Sequence, residues 1–305
     1  MNELLNRIID ECRVYTQEGN VASYIPELAK SDRNDFGICV ISDSDRLFCA
    51  GDCKNTFTIQ SIIKPVILLQ ALLDKGYDAV HSLVGVEATG KPFDAFNYSD
   101  QALTGDHINP MINAGAIALC TLIEGSTYEE KFFRLMTLAK DLSGNPNLEI
   151  DEKVYLSEKA TGNKNRALAY MLKAYGMIDA DVEELVDLYF KACSIKVNCT
   201  DLARIAFVLA NGGKDIITGE EKVPVKYAKY VNAILMICGM YDGSGEFALT
   251  VGVPAKSGVG GGIMAVVPGR MGIGLYSPSL DTKGNSIAGI KALEMLSREL
   301  DLSIF

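Results

Sequence analysis

Ser61-Ile62-Ile63-Lys64-Pro65-Val66-Ile67-Leu68-Leu69 is the stretch on which the reading of this chain turns. A serine and a lysine three residues apart share one face of a helix. The amine then reaches the hydroxyl, and where water is excluded a neutral lysine becomes available to accept the hydroxyl proton. A serine at a helix start also has free N–H groups and the positive dipole end beside it, which favour an oxyanion. Pro65 fits this placement, because proline is tolerated in a first turn far better than in a helix interior. Ile62, Ile63, Val66, Ile67, Leu68 and Leu69 make the segment apolar nearly all round, as in a buried helix, where a lysine needs a partner or a task. Ser-x-x-Lys occurs once in the 305 residues, about what chance supplies, and its bland reading is a capped helix with a solvated lysine. The rest of the chain has to decide between the two.

Upstream, an amphipathic helix over about residues 2–17 leads into Phe36-Gly-Ile-Cys-Val-Ile-Ser and Arg46-Leu-Phe-Cys-Ala. These β-prone runs, joined by Asp43-Ser44-Asp45, predict a hairpin. Downstream, helical signals run from Ser61 to about Leu209. Gly76 and Gly176 read as residues just past helix ends, while Ser126-x-x-Glu129 and Asp181-x-x-Glu184 have the spacing of N-terminal caps. After Tyr241 strands return, with Gly262-Ile-Met-Ala-Val-Val and Met271-Gly-Ile-Gly-Leu-Tyr flanking Pro268-Gly269-Arg270, and a helix closes the chain over about 285–300. Strands from both ends must therefore share one sheet. The expected architecture is α/β of the α+β type: an antiparallel sheet flanked by terminal helices, with an all-helical lobe beside it. Residues 1–305 form one domain on this reading, with a sheet lobe at about 1–60 and 241–305 and a helical lobe at about 61–240.

Bulk properties narrow the function classes. A hydrophobic fraction of 48% with 22% charged residues is ordinary globular usage. The net charge of −10 repels nucleic acid over most of the surface. Glu3, Asp10 and Glu11 interrupt any secretory signal, and the apolar run Ile62–Leu73 is too short to span a bilayer, so a cytoplasmic protein with no membrane partner is expected. Eight cysteines without a C-x-x-C pair, mostly within apolar runs, read as reduced core thiols, and no spacing suits a zinc site.

A second feature, Lys256-Ser257-Gly258-Val259-Gly260-Gly261-Gly262, precedes a β-prone run. Such small residues let a backbone approach a ligand and present an N–H to it, although a glycine-rich stretch is more often a bulge or turn. Ser-x-x-Lys opening a helix, a helical insertion and Lys-Ser-Gly on a late strand together resemble the fold of β-lactamases and transpeptidases. More specifically, Asn109-Pro-Met-Ile-Asn-Ala-Gly-Ala116, Ser157-Glu-Lys-Ala-Thr-Gly-Asn-Lys-Asn-Arg166 and Lys256-Ser-Gly-Val-Gly-Gly-Gly262 resemble the glutaminase family. The resemblance implies hydrolysis of L-glutamine to L-glutamate and ammonia, without cofactor or metal, in a homodimer or homotetramer. It implies Ser61 as nucleophile, Lys64 as its base and Tyr241 near enough to share in proton transfer. Glutamine contacts would fall on Asn113, Glu158, Asn165, Tyr189 and the backbone of Val259, with Tyr24 as a neighbour. The residue types agree: an α-ammonium calls for a carboxylate, and asparagines satisfy a carboxylate or carboxamide without adding charge.

Other readings use fewer of these residues. A β-lactamase or transpeptidase shares the Ser-Lys pair but works outside the cytoplasm, and the Ser-Asp-Asn motif of class A β-lactamases is missing. A Cys-His amidohydrolase would have to recruit His81 or His107 without any nucleophile motif. A glutamine sensor that kept the pocket and lost the reaction stays open as an alternative, with the retention of both Ser61 and Lys64 a mild argument against it.

Overall fold

The computed structural model describes residues 1–42, 46–90, 108–215 and 218–305. Strand-forming residues from the two ends of the chain meet in one antiparallel sheet. Its strands are β1 (Gly37–Ser42), β2 (Leu47–Gly51), β5 (Ala255–Ser257), β6 (Gly262–Val267) and β7 (Met271–Tyr276), in the order β2-β1-β7-β6-β5. The seam between the halves is the β1–β7 ladder, in register from Gly37 opposite Tyr276 to Ser42 opposite Met271. The Asp43–Asp45 turn lies outside the described residues. A second ladder pairs β3 (Phe57–Thr58) with β4 (Lys196–Val197) and was not expected from the pattern, since two-residue strands carry no periodicity.

Eleven α-helices are found among the described residues: α1 (Asn2–Cys12), α2 (Lys64–Leu83), α3 (Asn113–Leu119), α4 (Tyr128–Ser143), α5 (Glu152–Thr161), α6 (Asn163–Ala174), α7 (Val182–Cys193), α8 (Cys199–Ala210), α9 (Val225–Cys238), α10 (Ser244–Thr250) and α11 (Ile287–Leu300). None is long and apolar enough to cross a membrane. Alternation along β1 sends Ile38 and Val40 to one face, where they pack with Leu5, Ile8 and Ile9 of α1 and Leu293 and Leu296 of α11. Cys39 and Ile41 face the other way, into the larger core of the helical block. There α8 lies against β7 at Gly272 and Gly274, where an added Cβ would stand 2.2 Å from the Ala203 carbonyl and 2.0 Å from that of Cys199. Glycine at these two positions is what allows a helix to lie this close to the sheet. A capping box of Asn198 and Asp201 fixes where α8 starts.

Several local expectations change. Gly76 does not end a helix cleanly but breaks the run Lys64–Leu83 from within, at φ +77. The cap of α4 is Thr127, which accepts from Glu130 N, one residue later than the Ser126 spacing suggests; the Ser126 N–H instead donates to Glu130 Oε2. Asp181 caps α7 as expected. Cys39 and Cys49 are joined by a disulfide, whereas eight reduced thiols were expected. Direct cross-strand pairing brings their Cα atoms to 4.3 Å, a proximity that sequence spacing does not reveal.

Candidate active site

Ser61 lies in a 3-10 turn, Gln60–Ile63, immediately before α2, so the helix proper opens at Lys64 and not at Ser61. The β3–β4 ladder and a bond from Ile59 N to Ile195 O (2.8 Å) pin the approach to this turn. Gln60 has φ +50, an unfavourable conformation for a residue with a side chain, held by the packing around it. The glycine run closes from the other side. A Cβ on Gly258 would stand 2.9 Å from the Ile59 carbonyl, and one on Gly260 2.8 Å from that of Thr58. Its small residues thus accommodate the chain's own Ser61 segment.

Lys64 is fully buried, and its Nζ donates to the Met111 carbonyl (3.1 Å) and Asn113 Oδ1 (2.7 Å). Tyr241, at φ +55, begins another short 3-10 turn. Ser244 Oγ braces it by donating to the Tyr241 carbonyl (2.9 Å) and accepting from Met240 N (3.1 Å). Burial holds the Tyr241 phenol well above its ordinary range, partly offset by the Ser61 hydroxyl and the Val259 amide that it faces. Over the Tyr241 ring, at 4.3 Å, stands the Nζ of Lys256. This second buried lysine donates to the carbonyls of Gly239 (3.0 Å) and Ser257 (2.6 Å). Burial, and then the proximity of Lys64, push its pKa well below the usual amine value.

Four helices of the helical block supply the opposite wall. Asn113, first residue of α3, donates through Nδ2 to Asn165 Oδ1 on α6 (2.8 Å). Its Oδ1 accepts from Lys64 and from the Tyr189 hydroxyl on α7 (3.4 Å). Glu158 of α5 is only 6% exposed, and its Oε2 has no protein partner among the described residues. Burial raises its carboxyl to about 8, with Lys64 pulling in the opposite direction.

Between the walls is a cavity of about 460 Å³ lined by Ser61, Asn113, Glu158, Asn165 and Tyr189, with the 57%-exposed Tyr24 at its rim. A single amino acid fits such a volume. Lys64, Tyr241 and Val259 do not line it. Lys64 lies behind Asn113, while Tyr241 and Val259 pack in a small cluster with Ile25, which borders the cavity. Gln60, Lys164 and Cys193 also line it and were not anticipated. Lys256 carries no sequence signal for its place here, since a lysine followed by small residues does not announce a buried amine. Among the described residues the one group of three potential metal ligands, Cys39, Cys49 and Cys53, lies outside the cavity lining.

A family model described as Glutaminase matches residues 19–305. The glutaminase of Clostridioides difficile is 53% identical over 302 residues, covering 99% of this chain and 98% of that one. That of Clostridium tetani is 51% identical over 305 residues, the full length of both. Among solved structures, the covalent complex between a Bacillus subtilis glutaminase and 5-oxo-L-norleucine, formed by reaction with 6-diazo-5-oxo-L-norleucine, superposes with a TM-score of 0.91. It is 37% identical, and the match covers all of this chain and 99% of that one. The fold is the β-lactamase-like one that the motifs had suggested. By sequence match and by fold, the chain belongs to the glutaminase family, enzymes that hydrolyse L-glutamine to L-glutamate and ammonia.

Proposed function

We propose that glutamine hydrolysis runs through an ester on Ser61. Lys64 takes the hydroxyl proton as Ser61 attacks the carboxamide carbon. The N–H groups of Ser61 and Val259 stabilise the oxyanion, each by roughly 3–4 kcal/mol in comparable sites. Ammonia leaves after protonation through Lys64 or Tyr241, and water then clears the glutamyl ester. Glu158 receives the α-ammonium, Asn113 and Asn165 the carboxylate or carboxamide oxygens, and Tyr189 and Tyr24 close the sides.

The observation that carries this reading is Glu158. A buried carboxylate oxygen without a partner among the described residues, in a cavity whose other side is Ser61, is costly unless a cationic ligand completes it. The covalent complex of the Bacillus subtilis relative supports a protein nucleophile in the same fold. The test is to treat the protein with 6-diazo-5-oxo-L-norleucine and locate the adduct by peptide mass spectrometry. A single adduct on Ser61, abolished by Ser61→Ala, is expected; an adduct on any other residue overturns the serine mechanism.

A cytoplasmic location, one functional unit over residues 1–305, and assembly as a homodimer or homotetramer belong to the same proposal. Six cysteines remaining as thiols among the described residues support a reducing compartment, against the one disulfide. The shared sheet supports a single unit. Exposed Phe133, Leu156 and Leu249 support self-association. Sedimentation that finds only monomer at working concentration overturns the assembly.

A further inference from the structure

The three sulfurs outside the cavity have a chemistry of their own. Cys39 and Cys49 face each other across β1 and β2, and Cys53 stands in the turn that follows β2. All three Sγ atoms lie within 4.8 Å of one another. The group sits under the first turn of α8: Thr200 Oγ1 is 3.4 Å from Cys39 Sγ, and Cys199 N donates to the Cys53 carbonyl (3.3 Å). Three thiolates at about 2.3 Å from a zinc ion are roughly 3.8 Å apart, so the widest separation in the trio exceeds that of a thiolate cage by only about 1 Å. The group lies beside the start of α8, an end that Asn198 and Asp201 already cap.

We propose that the reduced protein binds one zinc ion through the thiolates of Cys39, Cys49 and Cys53, with the Thr200 hydroxyl or a water as fourth donor. The Cys39–Cys49 disulfide is then the oxidised form of the same site. Hydrogen peroxide balances the interconversion: two thiolates, one peroxide and two protons give one disulfide and two waters. Two electrons pass from the sulfurs to the peroxide, and zinc, left with Cys53 alone among its sulfur donors, departs. Burial leaves Cys49 the most accessible of the three, which gives ion and oxidant a way in. The sequence spacing hides the site because strand pairing, not a short ligand motif, assembles it.

The full chain, reduced and freed of reductant without air, is titrated with zinc against a chromophoric chelator, and with cadmium while thiolate-to-metal charge-transfer absorption is followed. One zinc per chain and a saturating charge-transfer band are expected in the wild type, with both lost in Cys53→Ser and Cys49→Ser. Hydrogen peroxide should release the zinc in step with the loss of two titratable thiols. Wild-type protein that gives no charge-transfer band, or Cys53→Ser that binds zinc as well as wild type, overturns the site. Because the wild-type cadmium signal needs no substitution, a variant that misfolds leaves the test standing.

Discussion

The two walls of the cavity are built by opposite means. The Ser61 wall and the layer behind it are made of short turns: Gln60 in the lining and Tyr241 behind it hold positive φ angles, a glycine run packs against the Ser61 segment, and Lys256 braces the Tyr241 turn. The opposite wall is built mainly from regular helix, with Asn113 from α3, Glu158 from α5, Asn165 from α6 and Tyr189 from α7 among its polar side chains. Strained turns place backbone N–H groups and a hydroxyl where regular helix cannot, whereas recognition of a zwitterion needs side chains at fixed separations, which packed helices provide. The division of labour is testable, since damage to the first wall should appear in kcat and damage to the second in KM.

Ser61→Ala gives the largest expected effect, a fall in kcat of about 10⁴-fold or more in an ammonia-release assay. Adding Lys64→Met to it should cost little more, because the two act as a unit; multiplicative losses would separate them. Glu158→Gln comes next, with kcat/KM falling about a hundredfold, mostly through KM. With its carboxyl at about 8, wild-type kcat/KM should climb as pH rises toward 8, and the variant should lack that limb. Stability carries the opposite sign. A carboxyl raised on folding keeps a proton that the unfolded chain has released, so stability falls between the ordinary carboxylate range and about pH 8. Urea midpoints for Glu158→Gln should be flatter across that window.

Lys256→Met should lower kcat by roughly tenfold to a hundredfold with KM nearly unchanged, through a displaced Tyr241. A KM effect of the same size would place Lys256 on the wrong wall. Tyr24→Ala should do least, raising KM a few-fold, since the ring is more than half exposed at the rim.

Elements with strong periodicity were legible from the residues alone: the flanking strands, α1 and α11, and the helical middle all follow from apolar spacing. The Ser61–Lys64 pair was legible as a motif, but its burial against Met111 and Asn113 was not, because those partners stand 47 and 49 residues away. Glu158 reads as an ordinary surface charge on a helix until the packing of α5 against α7 buries it. The disulfide, the β3–β4 ladder and the work of Lys256 depend on register and on close approach between distant segments, which composition and spacing do not encode. Capping boundaries moved by single residues, as with Thr127, because adjacent Ser and Thr offer equivalent oxygens.

The β1–β7 ladder also sets a schedule for synthesis. β1 ends at residue 42 and its β7 partner does not begin until residue 271, so an emerging chain carries an unpaired strand edge while the stretch between them is made. At ribosomal speeds that interval is roughly ten to fifty seconds. A chain cut short before β7 should therefore leave the β1 edge open to pairing with other strands.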